Sequence, residues 1–177
     1  PYVLAAAHPQ PGERVLEIGP GTGTLGLEVA RIIGPHGRLT GADISEGALA
    51  VARINVGRHG LEQRVRLQLS DGLATLPGPW DLVLCNPPYV NAHSMSQLPA
   101  EYRAEPELAL AGGDDGMDFI RRLLQAAPAR MSENAVLVLE IGNESAHFEA
   151  AFPQLPVFWL ETATTNDQVM LITARAL

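Results

Sequence analysis

Apolar residues along the chain gather in short continuous runs closed by glycine, proline or aspartate, and these runs alternate with stretches of helical period. Arg14 to Ile18 predicts a buried strand. Leu25, Val29, Ile32 and Ile33 mark one face of a helix ended by Gly34-Pro35. Arg38 to Ala42 predicts a second strand that ends on Asp43. Ser45 then caps a helix carrying Leu49, Ala52 and Ile54, stopped by Gly57 and Gly60. Val65 to Leu69 is a third strand, closed by Ser70-Asp71-Gly72, and Asp81 to Cys85 a fourth. Strands alternating with helices in this way predict βαβ units and a parallel sheet.

The spacing then changes. Asn86 to Asp115 is long for a structureless connection, and such segments usually carry function. A helix from about Met117 to Ala129 follows, then a fifth strand from Ala135 to Ile141. Val157 to Leu160 and Val169 to Thr173 form a closing pair around a turn at Thr164 to Asp167. The expected fold is α/β and doubly wound, a mostly parallel seven-stranded sheet with an antiparallel C-terminal strand. Residues 1–177 read as one domain.

Composition narrows the function classes. With 177 residues and 46% hydrophobic content, the chain can bury a substantial core. The net charge is −8, and all twelve basic residues are arginines. Without clustered basic residues, direct nucleic-acid binding by this domain is not expected. The single cysteine, Cys85, rules out an internal disulfide and a cysteine-based zinc cluster, and reads as a buried strand residue. His8, His36, His59, His93 and His147 show no metal-ligand spacing, so no metal is expected. No apolar run is long enough for a bilayer and no signal-peptide pattern appears, which predicts a cytoplasmic protein without a membrane partner. Trp80 and Trp159 read as packing residues, and Arg121 and Arg122 as a solvated helix face.

The candidate chemistry lies at the ends of the strands, where open α/β sheets bind ligands. Glu17-Ile18-Gly19-Pro20-Gly21-Thr22-Gly23 closes the first strand. Gly19, Gly21 and Gly23 allow a sharp turn and a close approach to a ligand, and the next helix offers unpaired N–H groups. Gly21 to Gly26 also matches the G-x-G-x-x-G dinucleotide pattern. Glu17 separates the two options, because a carboxylate there suits a cationic amino acid group better than a pyrophosphate. Asp43, followed by Ile44, can accept from ribose hydroxyls. Asp71 can accept from an adenine amine, with Gly72 leaving space for the ring.

Asn86-Pro87-Pro88-Tyr89 closes the fourth strand. The Asn86 side-chain oxygen and the Pro87 carbonyl could accept the N–H groups of one substrate nitrogen. Pro87 and Pro88 stiffen the turn, and Tyr89 can cover a flat substrate group. The pair of turns suggests methyl transfer to a nitrogen, with catalysis by orientation and desolvation.

These residues resemble the class I S-adenosylmethionine-dependent methyltransferases, specifically the HemK-like glutamine-N5 protein methyltransferases. The resemblance runs from about Arg14 onward. Tyr89-Val90-Asn91, then Leu98-Pro99-Ala100-Glu101-Tyr102-Arg103-Ala104-Glu105-Pro106-Glu107-Leu108, then Gly113-Asp114-Asp115-Gly116 carry most of it. Their wording is similar to the branch that methylates a glutamine of the third large-subunit ribosomal protein, and so is the ending Trp159-Leu160-Glu161.

The resemblance implies a Rossmann-like catalytic domain over residues 1–177, with the family's N-terminal recognition domain absent from this stretch. It implies S-adenosylmethionine as cofactor, held by Glu17, Gly19, Gly21, Gly23, Asp43, Ile44, Asp71, Gly72 and Asn86. It assigns catalysis to Asn86, Pro87 and Tyr89, and substrate binding to Asn86, Pro87, Pro88, Tyr89 and Glu105. The implied partner is a protein presenting a glutamine, either a ribosomal protein or a release factor. Two other enzymes stay open. One is an N-methyltransferase acting on a DNA or RNA base, against which the −8 charge and the Glu101-to-Glu107 loop argue. The other is an NAD-dependent oxidoreductase, less favoured in a chain without lysine. A cofactor-binding module without catalysis is the non-enzyme alternative.

Overall fold

The computed structural model describes residues 4, 7–91, 95, 110–162 and 165–177. Seven strands form one sheet in the order β3-β2-β1-β4-β5-β7-β6. They are β1 Arg14–Ile18, β2 Arg38–Asp43, β3 Val65–Leu69, β4 Trp80–Cys85, β5 Met131–Glu140, β6 Phe158–Trp159 and β7 Val169–Thr173. The pairs from β3 through β5 are parallel, and β7 runs antiparallel to both β5 and β6. This is the predicted sheet. The order of connection reverses between β1 and β4, and at such a switch point two strand-end loops diverge and leave a crevice.

Both faces of the sheet are covered, which is why its central strands read as continuous apolar runs rather than alternating ones. On one face Val15, Leu82, Leu84 and Val138 pack with Leu27, Ala30 and Ile33. On the other, Leu16, Ile18, Val83, Leu137 and Leu139 pack with Met117, Ile120 and Leu123. The covering helices are α1 Thr24–Ile32, α2 Glu46–Arg58, α3 Asp118–Ala126 and α4 Ser145–Ala151. Ser45 caps α2 as expected, its side chain accepting from the Ala48 N–H.

Several expectations change. Ile32 and Ile54 are 43% and 57% exposed and lie off the core faces of their helices. On α2 the buried stripe is Leu49, Ala52 and Val56, the i, i+3, i+7 set, and Ile54 falls outside that arc. The helix expected over Met117 to Ala129 ends at Ala126, and Pro128–Arg130 forms a tighter 3₁₀ turn. Strand β5 starts four residues earlier than Ala135, at Met131. Helix α4 has no counterpart in the sequence expectation. Among the described residues no helix is long and apolar enough to cross a membrane.

Candidate functional site

The glycine turn after β1 and the Asn86 turn after β4 meet at the switch point. A Cβ built on Gly19 would lie 3.7 Å from the Asn86 carbonyl oxygen. Gly19, Gly21 and Gly23 have φ of 71°, 54° and 83°, the left-handed region where a side chain is strained. The turn is tied down by backbone bonds from the Gly19 N–H to the Ala42 carbonyl and from the Gly23 N–H to the Pro20 carbonyl, each 2.8 Å. Asn55 of α2 donates to the Thr22 carbonyl at 2.9 Å.

Two cavities flank this junction. The larger, about 740 Å³, is lined by Gly19, Asp43, Ile44, Asp71, Gly72, Asn86, Pro87 and Pro88 among others. The smaller, about 330 Å³, is lined by Glu17, Gly19, Thr24, Cys85, Asn86 and Glu140 among others. Gly19 and Asn86 border both. The structure therefore brings together every predicted site residue except four. Gly21 and Gly23 shape the turn, Tyr89 lies beside the cavities against Gly142, and Glu105 lies outside the described residues together with His93 and the Glu101-to-Glu107 stretch.

Glu17 is the least ordinary residue at this junction. It is 4% exposed, and its Oε2 has no hydrogen-bond partner. Burial pushes its carboxyl up to about 7, the Gly26 backbone N–H offsets part of that, and nearby Asp43 adds to the rise. A buried carboxylate oxygen without a partner is costly unless a ligand completes it. Gly26 is required beside it, because a Cβ there would overlap Glu17 Oε2. Cys85 is fully buried, and burial together with Glu17 raises its thiol, which leaves it a packing residue.

Asp43 already accepts from the Gly21 N–H at 3.3 Å and the Ser45 N–H at 2.9 Å. One carboxylate offers about four lone-pair positions, so capacity for hydroxyl donors remains. Asp71 Oδ2 accepts from Arg122 Nη1 at 3.0 Å. The ring nearest Gly72 is that of Phe119, 3.3 Å from a built Cβ, and the Arg122 guanidinium lies 5.6 Å above that ring. Arg121 and Arg122 are exposed, as expected of a solvated face, yet both form ion pairs at the rim of the larger cavity.

Two features of the site escaped sequence reasoning. Glu140 ends β5 on the same face as Glu17 and Asn86. The register Cys85↔Leu139 puts Asn86 and Glu140 side by side, one residue further along each strand. The alternation of β5 could have found it, since Val136, Val138 and Glu140 share a face.

The second feature is the role of Gly112 to Gly116. Ala111 forms a bridge with Val90, the Val90 N–H donates to Leu110 at 2.8 Å, and the Gly112 N–H donates to Val90 at 2.9 Å. Arg121 and the Met117 N–H hold the Asp115 carboxyl down at about 2. A Cβ on Gly116, where φ is 81°, would overlap the Tyr89 carbonyl oxygen. Gly116→Ala is therefore expected to cost roughly 1–3 kcal/mol of stability, the usual scale for a forced left-handed residue. An unchanged urea midpoint would show that the turn can move aside.

Residues 2–102 match the family model described as the methyltransferase small domain. The chain belongs to that family. It is 49% identical over 166 residues to the ribosomal protein uL3 glutamine methyltransferase of Bordetella pertussis, covering 93% of this chain and 55% of the relative. The protein of the same name from Burkholderia pseudomallei is 46% identical, with 92% and 55% covered. That from Bradyrhizobium diazoefficiens is 44% identical, with 94% and 52% covered. The chain spans about half the length of these curated relatives. The resemblance to the ribosomal-protein branch agrees with all three.

Among solved structures, a methyltransferase from Pyrococcus furiosus aligns with a TM-score of 0.69 at 19% identity, over 97% of this chain and 78% of that one. TrmN from Thermus thermophilus aligns with a TM-score of 0.68 at 22% identity, over 96% and 46%. These two establish the Rossmann-like methyltransferase fold.

Proposed function

We propose that this domain transfers a methyl group from S-adenosylmethionine to the side-chain amide nitrogen of a glutamine, in a ribosomal protein related to uL3. The similarity to the uL3 glutamine methyltransferases supports the substrate class. The observation that carries the chemistry is the buried Glu17 carboxylate, its Oε2 without a hydrogen-bond partner, beside the glycine turn and Asn86.

The residues fit that cofactor. Glu17 would receive its ammonium group, the turn at Gly19, Gly21 and Gly23 would lie against its chain, Asp43 would accept from the ribose, and Asp71 with Ile44 and Gly72 would border the adenine. When bound, S-adenosylmethionine supplies a methyl group already activated on a sulfonium. The chain's own task is then to orient and desolvate the acceptor. Asn86 Oδ1 and the Pro87 carbonyl would each accept one N–H of the glutamine amide and so aim its nitrogen at the cofactor side of the junction. Tyr89 would cover the amide plane.

S-adenosylhomocysteine should bind this domain in calorimetry and NAD should not; comparable or tighter NAD binding overturns the assignment. Asp43→Ala should weaken S-adenosylhomocysteine binding by roughly 1–3 kcal/mol, the cost of leaving buried partners unmet. Mass spectrometry of ribosomal proteins and release factors from cells with and without the protein would identify the substrate. A methylated release factor with unmethylated uL3 would redirect the reading to a release-factor substrate.

A further inference from the structure

Past Tyr89 the chain turns inward, and Asn91 is 7% exposed. Its Nδ2 donates to both Oε1 and Oε2 of Glu144, each at 3.2 Å. Glu144 is 9% exposed, and His147, one turn further along α4, pairs with the same carboxylate through Nδ1. Glu144 occupies the N-cap position of α4, where a side chain ordinarily accepts from the helix's first N–H groups, but makes no such bond. Its carboxylate is given over to Asn91 and His147 instead.

The same turn touches the Asn86 segment a second time. Gly142, with φ of 54°, lies under the Tyr89 ring, and a Cβ there would come within 2.8 Å of Cε2 and 2.9 Å of the hydroxyl oxygen. The chain between Asn86 and Asn91 contains Pro87 and Pro88, which fix two φ angles and hold their predecessors extended. A stiff segment anchored at its far end moves as a unit, so the position of Asn91 is felt at Asn86.

We propose that Glu144 is a positioning residue for the acceptor site, fixing the Asn86 turn against the end of β5 by clamping Asn91. The inference rests on the methyl-transfer reading above for its kinetic consequence, and on geometry alone for its structural one.

The test uses the intact protein with Glu144→Ala, Asn91→Asp and the exchanged pair Asn91→Asp/Glu144→Gln, in which the amide and the carboxylate trade places. Each single variant should lower kcat on a glutamine peptide tenfold or more, with S-adenosylhomocysteine affinity within twofold of wild type. The exchanged pair should recover most of the loss. Amide hydrogen exchange gives a readout that needs no activity. The Val90 and Gly112 N–H groups should lose protection in the single variants and regain it in the exchanged pair, while the β1 amides stay protected. Unchanged kcat and unchanged Val90 and Gly112 protection in the single variants would overturn the proposal, as would a fall in cofactor affinity matching that in kcat. If the wild-type protein methylates no glutamine, the functional reading fails, and the exchange data decide this inference alone.

Discussion

Asn86→Ala is expected to lower methyl transfer to a glutamine peptide by a hundredfold or more while S-adenosylhomocysteine affinity stays within about tenfold. A hundredfold is about 2.7 kcal/mol on the barrier, the scale of one well-placed hydrogen bond to a reacting group. The asymmetry follows from where Asn86 sits. It borders both cavities, so the cofactor would meet it only at an edge, whereas the acceptor nitrogen would depend on it for alignment. An interaction made with the reacting atoms lowers kcat when removed, and one made with bound cofactor raises KM or Kd. Asn86→Asp should keep part of the activity, since its oxygens still accept, although its charge beside Glu17 and Glu140 adds repulsion. Single-turnover methylation of the peptide, with calorimetry of S-adenosylhomocysteine, separates the two effects. Full activity in Asn86→Ala would reduce the turn to a structural corner.

The parts of this site that are legible in sequence are those where a backbone rule and a chemical requirement coincide. Parallel strands buried on both faces leave continuous apolar runs, so the ends of β1 and β4 stand out, and with them Glu17 and Asn86. Helix α4 is invisible by the same logic. It has seven residues, of which only Phe148 is buried, so it carries no apolar stripe, and Pro153 past its C-cap is the one breaker that marks its end. The polar stretch Ser132-Glu133-Asn134 hides the start of β5; it lies within the register shift between the Trp80↔Met131 and Leu82↔Val136 pairs. The Asn91–Glu144 contact joins residues 53 apart in sequence, which no local spacing reveals. Asp71 was legible as an acceptor, but its pairing with Arg122 depends on how α3 crosses the strand ends. The glycine-rich Gly112 to Gly116 stretch was legible only as a family resemblance; its physical reason is the close approach to Tyr89.

Glu17→Gln should produce the second large effect, with opposite signs on binding and on stability. Without a ligand's charge beside it, the Glu17 carboxyl is pushed up to about 7, against an ordinary value of 4.5, because burial disfavours its charge. The folded chain therefore holds this proton more tightly than the unfolded chain. The resulting stability is fully present below pH 4.5 and is lost as the pH rises to 7 and beyond. At pH 8 the ionised, buried carboxylate costs the fold roughly 2–4 kcal/mol. Glutamine, of the same shape and uncharged, escapes that cost. The variant should thus be more stable than wild type at pH 8 without ligand, with the difference shrinking toward pH 4.5. Cofactor binding should move the other way. A cationic ammonium favours ionised Glu17, so wild-type affinity for S-adenosylhomocysteine should fall up to tenfold per pH unit below 7, with a proton released on binding. Glu17→Gln should bind tenfold or more weakly at pH 8 and lose that pH slope. Thermal unfolding and calorimetry across pH 5 to 8, in buffers of differing ionisation enthalpy, measure both. A variant less stable than wild type at pH 8, with cofactor affinity intact, would mean that Glu17 serves the fold and not the ligand.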